Sequence, residues 1–268
     1  MSDDATDLRN LLDRVAAGET SPAVAQARIA GYAISDAGRF DAARESRRGV
    51  PEAVLAEGKT PTETARLAAT AVETTGRALV TRADEADAEA VRESVPGDAT
   101  AQYDRRSRTL VVHAADFDPP RVDATVSVVA AGTADAPVAG EAAAAARAAG
   151  ARVDRVDDVG VANLHRMLDS LGAIRGADAV VVAAGREGAL PTVVAGLVDP
   201  PVVGVPVSTG YGNGGDGEAA LLGLLQSCSV LSVVNVDAGY VAGTQAGLIA
   251  RAVGAARSEA AGRSPEEE

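Results

Sequence analysis

The sequence predicts an α/β protein, a parallel sheet covered by helices, preceded by a smaller, largely helical α+β region. Three observations predict it. Apolar runs recur at 124–131, 179–184, 201–207 and 231–236, amphipathic stretches separate them, and residues 1–108 are instead charged and helix-prone. Strands this apolar are buried on both faces, and in alternation with helices they build a parallel sheet with right-handed crossovers. The second domain accordingly runs over 109–257, followed by a polar tail at 258–268 expected to fray.

In the first region Leu8, Leu11, Leu12, Val15 and Ala16 fall on one helical face. Ser21-Pro22 and Thr60-Pro61 each read as an N-cap followed by the first helical residue, the latter opening a helix through Ala71. A βα element over 77–92 comes next, with 78–81 as its strand. In the second domain the helical stretches are 136–149, 161–171, 190–197, 218–225 and 240–256.

Composition narrows the function. Of 268 residues 47% are hydrophobic but only 2% aromatic, so the core is mostly Ala, Val and Leu. The formal net charge of −13 leaves no basic stripe, which argues against general nucleic-acid binding and against docking on anionic membranes. Lys59 is the only lysine. Many acids with Arg in place of Lys suit a salt-rich, archaeal-type cytoplasm, and a high-GC codon bias accounts for the Arg and Ala equally well. One cysteine, Cys228, and two histidines, His113 and His165, exclude an internal disulfide and a Cys/His zinc cage. The start, Met-Ser-Asp-Asp, lacks the features of a signal peptide. The uncharged run 219–236 reaches membrane-spanning length but carries Gln226, Ser227, Ser229, Ser232 and Asn235, and reads as a buried helix, a turn and a buried strand. A soluble cytoplasmic protein is expected.

Ligands of parallel sheets bind beyond the carboxyl ends of the strands, so the residues there are the functional candidates. After the first strand, Gly132-Thr133-Ala134-Asp135-Ala136-Pro137 either cradles a phosphate, with Asp135 on a ribose hydroxyl, or is an ordinary helix cap. After 179–184, Gly185-Arg186-Glu187-Gly188 places an acid where a helix begins, as a general base or as a surface acid. After 201–207, five glycines between Gly210 and Gly217 make a loop able to bring its backbone close to a ligand, and binding is the favoured reading. Cys228 is either a small core residue or a nucleophile. His165-Arg166 reads as a surface pair or a contact for a substrate anion, and His113 as structural.

Three segments taken together, 206–221, Ser227-Cys228 and Val233-Val234-Asn235-Val236-Asp237, closely resemble the LarB family. The run from Asp41 and Arg44 through Arg47, Gly49, Pro51-Glu52 and Gly58-Lys59-Thr60 is also similar, so the resemblance covers about residues 40–252. Gly132-Thr133-Ala134-Asp135 and Ala184-Gly185…Leu190-Pro191 resemble the core shared with aminoimidazole-ribonucleotide carboxylases and mutases of the PurE type. The resemblance implies a flavodoxin-like three-layer α/β/α core. It also implies synthesis of pyridinium-3,5-biscarboxylate mononucleotide, the first intermediate of the nickel-pincer nucleotide cofactor used in lactate racemase maturation. The substrates would be nicotinic acid adenine dinucleotide and CO2, and AMP the second product.

On the resemblance Cys228 and Glu187 are catalytic. The substrate-binding set is Thr133, Asp135, Asp158, His165, Arg166, Ser208, Thr209, Gly210, Tyr211, Gly212, Asn235 and Asp237. No metal ligands and no organic cofactor are expected. Mg²⁺, loop amides or Arg side chains would hold the phosphates, and a homo-oligomer, by analogy an octamer, is implied. Val230-Leu231 stands where the family usually has Pro-Gly, Ala238 replaces an Asn, and Tyr240-Val241 a Phe-Gly. Arg44, Arg47 and Lys59 either touch substrate or tie the N-terminal region to the core, with the structural role favoured.

The chemistry suits these side chains. The pyridinium ring is electron-poor, and a thiolate added at carbon 4 turns carbon 5 into an enamine nucleophile able to capture CO2. Cysteine both attacks and leaves well, and the ring's positive charge favours the thiolate. Two rivals remain: a carboxylase or mutase of aminoimidazole ribonucleotide, which needs no thiol, and a non-catalytic nucleotide-binding module.

Overall fold

The computed structural model describes residues 3–262, and the chain divides into two units, Met1–Asp118 and Pro119–Glu268. The first unit opens with α1 (Asp3–Ala16) and α2 (Pro22–Ala30), the latter capped by Ser21, whose Oγ accepts from the Val24 N–H. A hairpin of β1 (Ala33–Ser35) and β2 (Gly38–Phe40), then α3 (Arg44–Arg48) and β3 (Ala53–Leu55), lead to α4 (Pro61–Thr75). A reciprocal capping box between Thr60 and Glu63 starts α4, and Gly76, at φ 76°, ends it four residues later than the sequence reading placed its end. The unit closes with β4 (Arg77–Thr81), α5 (Glu85–Ser94), β5 (Thr100–Asp104) and β6 (Thr109–His113).

The strands form a sheet of order β3-β4-β6-β5, in which β3 and β4 are parallel and the other pairs antiparallel. Ala65, Leu67, Ala68, Ala71 and Val72 of α4 share a buried cluster with Val80, Leu110 and Val112 of the sheet. This moves the expected boundary. Residues 109–113, assigned to the second domain, pair with β4 in the register Leu79↔Val111, so the division falls after Asp118 rather than after 108. Arg47 pairs with Asp41 at 2.6 Å and the Lys59 ammonium donates to the Leu55 carbonyl at 2.6 Å, both within this unit. His113 lies against Phe117, and burial, then the charge of Arg77, holds its pKa below the usual histidine value.

In the second unit β7 (Thr125–Ala130), α6 (Ala136–Ala148), β8 (Arg152–Val156), α7 (Leu164–Arg175), β9 (Ala179–Ala184) and α8 (Ala189–Ala195) follow one another. Then come β10 (Val202–Pro206), α9 (Glu218–Leu225), β11 (Ser232–Val233) and α10 (Gly239–Gly262). All five strands are parallel, in the order β11-β10-β9-β7-β8. Side chains divide by parity along each strand. Val126, Val128, Val181, Ala183, Val203 and Val205 meet the alanines of α6 and α10. Val129, Val180, Val182 and Val202 meet Met167 and Ile174 of α7 with Leu190 and Val194 of α8. The three-layer, flavodoxin-like expectation holds.

Four details differ from the sequence reading. β8 was missed because Arg-Val-Asp-Arg-Val alternates on a half-exposed edge instead of forming an apolar run. β11 is only two residues long, as its partner β10 ends at Pro206, which has no N–H to extend the ladder. The uncharged run is less buried than expected: Leu222 and Leu225 are exposed and Val230 is 94% exposed. The tail is helical through Gly262, and 263–268 lie outside the described residues.

The small-residue side of α10 is used inside the chain. Gly243 sits so close to α6 that a Cβ would overlap the Ala142 carbonyl, and buried Glu141 of α6 accepts from the Tyr240 N–H at the start of α10. Gly243→Val is therefore expected to lower unfolding stability by about 2 kcal/mol or more, as overpacked cores do. Gly172→Ala, in α7 with open space around it, should instead raise stability by about 0.5–1 kcal/mol by removing glycine's entropy penalty. Urea unfolding midpoints read both.

Candidate active site

The chain passes from β7 to β8 on one side and then crosses to β9 on the other, so the connections leaving β7 and β9 diverge. The crevice between them is where such sheets bind ligands. Asp135 sets its geometry. One carboxylate oxygen accepts from the Gly132 N–H at 2.8 Å. The other accepts from the Gly185 N–H at 3.1 Å and from the Thr209 hydroxyl at 2.8 Å. A single buried acid thus binds the loops that follow β7, β9 and β10. Gly185 has to be glycine here, since a Cβ would run into the Thr209 carbonyl and hydroxyl.

Beside this clamp lies a cleft of ≈ 380 Å³ lined by Gly132, Asp135, Asp158, Arg166, Arg186 and Glu187, with Ala131, Ala184 and Leu190 among its apolar residues. Arg166 and Asp158 form an ion pair at 2.7 Å. Asp158 and Arg186 are non-glycine residues in the left-handed region, with φ of 60° and 54°, and Asp237 joins them at 56°. Such backbone costs about 1–3 kcal/mol per residue and concentrates at functional sites. A wider groove of ≈ 980 Å³ lies in the first unit, lined by residues such as Arg28, Glu73 and Phe117. It contains none of the candidate residues, so the smaller cleft is the candidate site.

The glycine loop is fastened to the cleft at two points. The Arg186 N–H donates to the Thr209 carbonyl at 3.2 Å, and the Arg186 guanidinium lies 4.3 Å from the ring centroid of Tyr211. At the loop's start, the Ser208 N–H donates to the Asp237 carboxylate at 2.9 Å. Within the loop Gly212, Gly214 and Gly217 adopt positive φ, the conformation expected of its glycines. Cys228 is exposed. Next to it the Ser229 hydroxyl donates to the Thr192 carbonyl of α8, and Gly223 of α9 leaves no room for a Cβ against the Glu187 carbonyl. The cysteine segment is therefore seated on the helix that begins just after Glu187.

The structure gathers Asp135, Asp158, Arg166 and Glu187 around one cleft and ties Ser208, Thr209, Gly210, Tyr211, Gly212 and Asp237 to it through the loop. Thr133 is exposed on the turn before α6. His165 and Asn235 are exposed and outside the cleft lining, and the Asn235 side chain accepts from the Val236 N–H. Of the two roles the sequence left open, the cap is visible in part: the Asp135 carboxylate accepts from the Gly132 N–H in the capping box of the turn Thr133–Asp135 but makes no side-chain cap on α6, and its oxygens also serve Gly185 and Thr209. Arg186 was overlooked as a site residue although it stands beside Glu187. The available signal was an Arg-Glu pair between two glycines at a strand end.

Burial is the largest influence on Asp135 and raises its pKa, against the hydrogen bonds from Thr209, Gly132 and Gly185, and the charge of Asp237 adds to the rise. Between the ordinary carboxylate value and the raised one, the folded chain holds a proton that the unfolded chain has released. Stability therefore falls as pH rises through that window. In Asp135→Asn this fall should vanish. At neutral pH the variant should be less stable by about 1–3 kcal/mol, because an amide cannot accept from three donors. Unfolding midpoints across the acid-to-neutral range check both.

Comparison with known proteins agrees with this architecture. Residues 32–114 match the LarB/PurE-like N-terminal domain and residues 125–265 match AIR carboxylase. An uncharacterised protein of Methanocaldococcus jannaschii, MJ0165, is 37% identical over 220 residues, covering 80% of this chain and 84% of its own length. Among the described residues no helix is long and apolar enough to cross a membrane. The order of the two matched domains, the doubly covered parallel sheet and the extent of the likeness to the archaeal relative lead to one assignment: the chain belongs to the LarB family of PurE-related carboxylase proteins.

Proposed function

We propose that this protein carboxylates the pyridinium ring of nicotinic acid adenine dinucleotide and cleaves its phosphoanhydride. The products are pyridinium-3,5-biscarboxylate mononucleotide and AMP, the opening step of nickel-pincer cofactor synthesis. The observation that carries the reading is the exposure of Cys228, outside the cleft lining but on a segment hydrogen-bonded to α8, the helix whose first residues line the cleft. A cysteine there is available to a substrate, whereas a core cysteine would not be.

In the first half-reaction the Cys228 thiolate adds to carbon 4, which neutralises the ring and leaves carbon 5 as the nucleophilic end of an enamine. Carbon 5 bonds to CO2, and the ring nitrogen becomes part of an iminium. Loss of the carbon 5 proton to solvent restores the enamine, and the nitrogen lone pair then expels the thiolate and regenerates the pyridinium. In the second, Glu187, exposed at the cleft, takes a proton from the water that attacks phosphorus, and AMP departs. Glycine-loop amides and arginine side chains stabilise the phosphate charge. Among the described residues no group of three His, Cys, Asp or Glu side chains is placed to hold a metal ion. Any Mg²⁺ would accordingly enter on the substrate's phosphates and water, and no step here runs through it.

The protein is expected to work as a homo-oligomer, with an octamer as the assembly. Exposed Leu222, Leu225 and Val230 beside the cysteine segment support burial against another copy.

Mass spectrometry of the products from nicotinic acid adenine dinucleotide with labelled bicarbonate tests the reading. Wild type should yield the labelled biscarboxylate and AMP. Cys228→Ser should lose carboxylation by at least about a thousandfold, since a poorer nucleophile and leaving group replaces the thiol. Glu187→Gln should slow AMP release by about 10²–10⁴-fold, the usual contribution of a general base. Full carboxylation by Cys228→Ser would defeat the covalent route. Turnover of aminoimidazole ribonucleotide, unaffected by that substitution, would establish the purine-type alternative that the AIR carboxylase match allows.

A further inference from the structure

The cations lining the cleft, among the described residues, are Arg166 and Arg186. Arg166 is committed to Asp158 at 2.7 Å. Among the described residues Arg186 meets no carboxylate within ion-pairing distance. Its guanidinium carbon lies over the Tyr211 ring, 4.3 Å from the centroid, and Tyr211 is itself 83% exposed. The cleft also holds three acids, Asp135, Asp158 and Glu187, and the whole chain carries a net −13, so an anionic ligand enters an unfavourable field. Something in the cleft has to supply opposite charge, and Arg186 is the cation left to do so.

We propose that Arg186 is the diphosphate-recognising residue of this site, held in its binding orientation by the Tyr211 ring. The proposal rests on the function proposed above and adds a residue the sequence reading did not assign. The Tyr211 ring holds the guanidinium carbon over its face, and among the described residues no carboxylate takes up the N–H groups, whose planar fork is suited to pair with two phosphate oxygens. The left-handed backbone at Arg186, φ 54°, and its N–H bond to Thr209 fix where the side chain leaves the main chain. Its neighbour Glu187 then faces the same phosphates that Arg186 anchors. Tyr211 sits in the glycine loop, so ligand contact with Arg186 also settles that loop against the cleft.

The test is isothermal titration of inorganic pyrophosphate, and separately of nicotinic acid adenine dinucleotide, into wild type, Arg186→Met, Arg186→Lys, Tyr211→Ala and the Arg186→Met/Tyr211→Ala pair. Methionine keeps a long unbranched stem and the same backbone demand, so it isolates the charge and the fork. Arg186→Met should weaken both ligands by about tenfold or more, the scale of a lost charge-assisted hydrogen bond. Arg186→Lys should recover part of the loss. Tyr211→Ala should weaken binding less, and the double variant should bind no worse than Arg186→Met, since the ring acts through the arginine. In turnover, KM for the dinucleotide should rise more than kcat falls. Pyrophosphate and dinucleotide affinities within twofold of wild type in Arg186→Met would overturn the assignment. Arginine-dependent binding of pyrophosphate by a protein that forms no carboxylated product would overturn the proposed reaction while leaving this anion site standing.

Discussion

Three strands end at one carboxylate. The Asp135 side chain collects the Gly132 amide, the Gly185 amide and the Thr209 hydroxyl, and through them the loops after β7, β9 and β10 acquire fixed positions. Parallel strands leave their carboxyl-terminal loops without ladder partners, so without such a clamp these loops would sample many arrangements. Burying the acid is costly, as its raised pKa shows, and three donors offset that cost. The cleft, the seat of Arg186 and the start of the glycine loop all depend on it.

Strain follows from the same constraint. Asp158, Arg186 and Asp237 leave their strands through left-handed backbone although none is glycine. Each is fastened: Asp158 by Arg166, Arg186 by Thr209 and Tyr211, Asp237 by the Ser208 amide. Their polar side chains are thereby turned toward the sheet's functional edge, an arrangement that relaxed loops would not hold.

The legible part of the fold was the part in which burial is symmetric. The runs at β7, β9 and β10 are apolar on both parities, and their strands were found nearly to the residue. β5 and β8 mix exposed with half-buried positions, β6 mixes buried with half-buried ones, and they gave no comparable signal. At the site, motifs at strand ends could be located because topology dictates where they converge. Their roles were harder to read, because Asp135 as clamp and Arg186 as the cation over the Tyr211 ring depend on contacts 50 to 74 residues away or on a loop conformation. No local pattern encodes such contacts.

A practical consequence comes from the exposed Cys228, the only sulfhydryl in 268 residues. An alkylating reagent has a single address on each polypeptide, so the extent of labelling counts reactive centres directly. A fluorophore or spin label attached there would report on the surroundings of that one atom without any engineering of the background.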